Sequence, residues 1–93
     1  MPEMNFSLLW PDNSETTYYS PSLVIEDFFS MGESYQLPDF LRRARDALTI
    51  ASDRVEQKYG FPCSRAHASL ADIEQRAGNF AADKSVKIQE FFR

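Results

Sequence analysis

One cysteine, Cys63, and one histidine, His67, are all that the chain holds of either residue. A lone cysteine excludes an internal disulfide, and so few soft ligands leave little for a metal centre. No apolar run approaches the roughly 20 residues that span a bilayer. The first residues carry neither the basic region nor the apolar stretch of an export signal, so a cytoplasmic protein without a membrane partner is expected. Glycine-rich phosphate cradles, Gly-x-Ser-x-Gly elbows and His-Glu-x-x-His pairs are all missing. Cationic excess is missing too: 10 lysines and arginines face 14 acids, and a net charge of −4 with a pI near 4.8 disfavours nucleic acid. Arg42, Arg43, Arg45 and Arg54 interleave with Asp39, Asp46, Asp53 and Glu56. They read as a solvated helix face, with pairs such as Asp39 with Arg43 and Arg42 with Asp46.

What is present is apolar and periodic. A chain of 93 residues, 43% hydrophobic and 14% aromatic, is long enough for one domain over residues 1–93 and too apolar for disorder. From Leu37 to Gly60, the residues Phe40, Leu41, Ala44, Ala47, Leu48, Ala51, Val55 and Tyr59 recur at steps of three and four. That spacing predicts one long helix of about 21 residues, roughly 32 Å, around which the rest is organised. Pro38 and Asp39 suit its first turn, Gly60 its end, and Phe61 is placed to fold back on Val55 while Pro62 stops the helix.

In the N-terminal part, Met4, Phe6, Leu8 and Trp10 alternate with Asn5, Ser7 and Leu9, as in a half-buried strand. Pro11 to Ser14 are turn formers, and Glu15 to Tyr19 reads as the second strand of a hairpin. Ser20-Pro21-Ser22 marks the start of a short helix over about residues 21–29, and Ser30 to Gln36 reads as a loop. Ala66, Leu70, Ile73, Ala77 and Phe80 form the stripe of a third helix, N-capped by Ser64 and ending between Ala77 and Ala81. In the last eight residues before Arg93, Val86 and Ile88 alternate with Lys87 and Gln89 as a final strand. The expected fold is α+β, a small two-layer domain of order β-β-α-α-α-β. In it a three-stranded sheet, the N-terminal hairpin plus the C-terminal strand, packs against the long helix and two shorter ones.

Chemistry concentrates in Cys63, Ser64, Arg65 and His67. A cysteine just before a helix, with an imidazole four residues on, is the arrangement in which a helix terminus, His67 and Arg65 would activate a thiolate. Cysteine is also among the most commonly buried residues, and nothing in the spacing turns His67 toward it. A metal site would need Cys63 and His67 to converge with Asp72 or Glu74, and no metal or cofactor is expected. The aromatic residues Trp10, Tyr18, Tyr19, Tyr35, Phe91 and Phe92 exceed what three strands need for a core, so some are expected to line a groove or an interface. The two edges of a three-stranded sheet favour a homodimer.

Two blocks, WPDNSETTYYSPSLVIEDFF from Trp10 to Phe29 and ALTIASDRVEQKYGFPCSRAHASLADIE from Ala47 to Glu74, resemble a small bacterial family of nitrogen-starvation-response proteins. The WPD, YSPS, ALTIAS and YGF-x-CS pieces carry the likeness, which covers nearly the whole chain. The resemblance implies a gene cluster with a nitrilase, a radical S-adenosylmethionine protein, an N-acetyltransferase, an AIR-synthase-like protein and a flavoprotein, associated with nitrogen limitation and nitrile or cyanide metabolism. It implies a pathway and no catalytic residues. The expected function is a non-enzymatic accessory or protein-interaction component whose partner is an enzyme of that cluster. The alternative is a small-molecule-binding or thiol-dependent protein using Cys63 and His67. Trp10, Tyr18, Tyr19, Tyr35, Cys63, Ser64 and Arg65 are the candidate contact residues.

Overall fold

A computed structural model describes residues 3–61 and 63–92. Strand β1 (Met4–Leu9) runs into β2 (Glu15–Ser20) through a tight connection. Asn13 N–H donates to Trp10 O, Trp10 N–H donates to Ser14 O, and Asn13 takes the left-handed conformation at φ 69°. Three loop residues, Pro11, Asp12 and Asn13, thus close the hairpin with a left-handed residue in third place, a position asparagine tolerates. Asp12 accepts hydrogen bonds from both the hydroxyl and the backbone N–H of Ser14, which hold its carboxyl below the usual carboxylate range.

Helix α1 (Ile25–Phe28) is shorter than the expected 21–29. Ser20 and Ser22 explain it. The Ser20 hydroxyl donates to Ser22 O, and the Ser22 hydroxyl accepts Val24 N–H, so both side chains are used within a bend before the helix begins. Next comes the main correction, a strand β3 (Ser34–Gln36) where a loop was expected, so that the sheet has four strands in the order β2-β1-β4-β3. Three residues are too few for a readable alternation. Backbone bonds secure β3 instead: Gly32 N–H to Ile88 O, Ile88 N–H to Glu33 O and Leu37 N–H to Lys84 O.

Helix α2 (Leu37–Tyr59) is the long helix, with Pro38 in its first turn and Gly60 closing it at φ 86°, its N–H on Glu56 O. Asp39 pairs with both Arg42 and Arg43, at 2.7 and 2.9 Å, and these hydrogen bonds lower its pKa. Arg42 therefore meets Asp39 rather than Asp46. Phe40, Ala44, Ala47, Leu48 and Ala51 are buried as the stripe requires. The final turn departs from the expectation: Tyr59 is 54% and Phe61 65% exposed, so Phe61 stands out instead of folding on Val55. Pro62 lies outside the described residues. Helix α3 (Ser64–Ala77) has Cys63 rather than Ser64 at its N-cap and ends within the expected window. Strand β4 (Ser85–Phe92) completes the sheet, whose pairings are all antiparallel.

One irregularity decides what faces the core. Phe6 pairs with Phe91 and Ser7 with Glu90, yet Leu8 pairs with Ile88, so Gln89 is an extra residue in β4. This β-bulge turns Gln89 and Glu90 both to the outer face and returns Phe91 to the core side, against Phe6. Without it, strict alternation would carry Glu90 inward after Val86 and Ile88. Gln89 is held by the Ser7 hydroxyl and itself donates to Glu15.

Among the described residues the buried polar ones are serines, Ser20, Ser22, Ser52 and Ser69, and each fastens a junction. Ser22 receives Arg54 from α2 at 2.9 Å. Ser69 of α3 accepts Tyr19 N–H and donates to Tyr19 O, occupying the outer edge of β2 as a neighbouring strand would. The other edge, β3, is three residues long. Leu48, 1% exposed at the centre of the α2 stripe, should cost about 2–5 kcal/mol when replaced by alanine, measured by denaturant unfolding. A change within error would place the core elsewhere.

Candidate functional site

The Cys63 region is built around Ser52. Its hydroxyl, on a residue only 3% exposed, accepts Cys63 N–H at 3.2 Å and meets His67 Nε2 at 3.3 Å. One hydroxyl thus joins α2, the start of α3 and the imidazole. His67 turns its ring nitrogen toward Ser52, and among the described residues no hydrogen bond links it to the Cys63 thiol. Cys63 is half-buried against the core, while Ser64, Arg65 and His67 are exposed. The Arg65 guanidinium lies 3.7 Å over the Tyr19 ring, a close cation–π contact, and the Tyr19 hydroxyl donates to Glu3. Burial first, then that bond to Glu3, pushes the Tyr19 pKa up.

Tyr19, Cys63, Ser64, Arg65 and His67 are accordingly neighbours, but the other aromatic candidates lie elsewhere. Trp10 is 1% exposed, stacked on Phe80 and edge-on to Phe40, with its Nε1–H on Thr16 at 2.7 Å. It is a core residue. Tyr18, on the opposite face of β2 from Tyr19, is buried and donates to Asp72, which also takes Arg76. Desolvation, then the bond to Asp72, pushes its pKa up to about 12. Tyr35 packs edge-on to Phe29, receives Ser30 N–H on its hydroxyl and lies under Arg43. Glu74 is engaged by Arg45 at 3.0 Å. Neither Asp72 nor Glu74 joins Cys63 and His67 in a ligand set; among the described residues no three His, Cys, Asp or Glu side chains converge.

A cleft of about 550 Å³ opens elsewhere, where the end of β4, the start of β1 and the turn after α1 meet. Its buried residues are Met4 and Phe29, and Phe91 is half-buried. At its mouth stand Met31, 56% exposed, and Phe92, 40% exposed, with Glu26 and Ser30. Met31 is presented by a β-turn in which Glu33 N–H donates to Ser30 O and Gly32 adopts φ 84°, a conformation natural to glycine. The second half of that turn is tied to β4, with Gly32 N–H donating to Ile88 O and Ile88 N–H to Glu33 O. Sequence reasoning named Phe91 and Phe92 and overlooked Met31. Its signal was a large apolar residue beside a glycine in a segment read as a loop.

The sequence model of the family described as "Nitrogen starvation-induced protein NitG" matches residues 5–91. The chain belongs to this family. The NitG match takes in the hairpin loop, the Ser52–His67 junction and most of the cleft, with Met4 and Phe92 just beyond its ends. No curated protein and no solved structure matches the chain. Membership in the NitG family therefore supplies a physiological condition, nitrogen starvation, and leaves the molecular role to the geometry. No helix among the described residues is long and apolar enough to cross a membrane.

Two predictions follow from these contacts. Ser52→Ala should cost about 1–3 kcal/mol, because Cys63 N–H loses its acceptor, and should speed thiol labelling of Cys63, whereas His67→Ala should leave the labelling rate unchanged. Labelling that collapses in His67→Ala would instead make the imidazole the base of an activated thiol. For Tyr18, the folded pKa lies above the unfolded value, so folding favours the neutral phenol. Stability is fully present below pH about 10 and falls as pH rises toward about 12. Alkaline unfolding compared between the parent and Tyr18→Phe checks this: the variant should lose that part of the decline, and identical profiles would refute it.

Proposed function

We propose that the protein works in the nitrogen-starvation response by binding another protein, as a non-enzymatic accessory component. The observation that carries this reading is the cleft, where Met31 and Phe92 stay substantially exposed over an apolar floor of Met4, Phe29 and Phe91. Large apolar side chains held in water beside a concavity are the usual composition of an interface anchor site, and a turn fixed to β4 presents Met31 without much ordering cost on association. The Cys63 region supports the thiol-dependent alternative less well, since His67 Nε2 is engaged with Ser52. The proposed partner is an enzyme of the nitrilase-containing gene cluster that the resemblance implies.

Affinity capture from nitrogen-starved cells, with the parent and Phe92→Glu in parallel, tests the proposal. The parent should retain one enzyme of that cluster in near-stoichiometric amount, and Phe92→Glu, melting normally, should release it. Equal capture by both chains, or retention of none of those enzymes, would overturn the reading.

A further inference from the structure

Resting on the protein-binding reading above, we infer that the Met31–Phe92 cleft selects a partner segment bearing a large apolar side chain next to a lysine or arginine. The apolar half of this specificity is the lining already described. The cationic half comes from the charge around it. Glu26 lines the cleft, Asp27 follows it on α1, Glu33 closes the turn that presents Met31, and Glu90 precedes Phe91 and Phe92 on β4. All of these acids are exposed, and among the described residues none forms an ion pair: the pairs involve Asp39, Asp72 and Glu74 instead. Within β4 the basic residue is Lys87, which sits opposite Leu9, Arg93 after Phe92 lies outside the described residues, and Arg43 on α2 is spent on Asp39, Phe28 O and the Tyr35 ring.

An apolar site with Glu26 in its lining and further acids on the flanking helix, turn and strand disfavours acidic peptides and draws in a cationic segment, with the apolar anchor supplying most of the affinity and the acids setting orientation and approach. A second copy of this chain is the competing occupant, because Lys58, Tyr59 and Phe61 at the end of α2 present aromatic side chains beside a cation. Such a head-to-tail contact would build a ring or an open polymer, an assembly that sedimentation reads directly.

The probe is a random linear-peptide display library selected on the purified full chain, with Glu26→Lys and Phe92→Glu as comparison targets. Enriched peptides should carry an aromatic or large aliphatic residue within a few positions of lysine or arginine. Fluorescence anisotropy of one such peptide should show affinity falling about tenfold in Glu26→Lys and with added salt, and lost in Phe92→Glu. Absence of enrichment overturns the inference. Apolar peptides without cationic bias, bound equally by Glu26→Lys but not by Phe92→Glu, also overturn it while leaving the protein-binding reading intact. A concentration-dependent assembly in sedimentation that both Phe61→Ser and Phe92→Glu dissolve assigns the cleft to a second copy and overturns it as well.

Discussion

The extra residue in β4 is the constraint on which the rest depends. Val86, Ile88 and Phe91 cannot share one face of a regular strand, because two of their spacings differ by one. The sheet resolves the conflict at Gln89, and the consequence runs in both directions along β1. Toward Leu8 the core is a regular layer under α2. Toward Phe6 the strand carries Phe91 into the core and leaves Phe92, opposite Asn5, to the outer side. Ordinary alternation divides Phe91 and Phe92 between the two sides, and the bulge decides that Phe91 takes the core and Phe92 the mouth of the cleft. Keeping Glu90 in water is the energetic reason for the bulge, since an unpaired carboxylate on the core face would be costly to desolvate.

Around that sheet the polar groups are handled economically. Among the described residues no buried side-chain nitrogen or oxygen lacks a hydrogen-bond partner, and the buried serines do the joining. Ser52 ties α2 to α3, Ser69 ties α3 to the edge of β2, and Ser20 with Ser22 shapes the bend before α1. The Cys63 and His67 neighbourhood is thereby part of the fold's fastening. Its residue types suggested chemistry; its hydrogen bonds describe a junction.

What the sequence made legible, and what it hid, follows from the range of each signal. The α2 stripe, the β1 alternation and the Gly60 stop are local and periodic, and they appear where expected. The short strand β3 depends on partners more than 45 residues away in β4, and no local pattern of three residues could announce it. Tyr59 and Phe61 were misread because helical periodicity tells which face is apolar but not how far the neighbouring elements reach to cover it. Trp10 was read as a contact residue for a related reason, since an aromatic side chain suits an interface and a core equally well, and only the placement of Phe40 and Phe80 decides. The cleft was invisible as a site. Its residues come from β1, the turn after α1 and β4, each unremarkable alone.

The function proposed here stands on that assembled cleft within a family defined by nitrogen starvation. Its most direct physical test is the pairing of β1 with β4, read from cross-strand Hα and amide nuclear Overhauser effects in the isotopically labelled chain. The account predicts Phe6 facing Phe91 and Leu8 facing Ile88 in the same molecule, with Gln89 opposite no residue of its own. An uninterrupted register would contradict it: Phe6 facing Glu90 would exchange the sides of Phe91 and Phe92, and Leu8 facing Gln89 would put Gln89 in place of Ile88 on the core face.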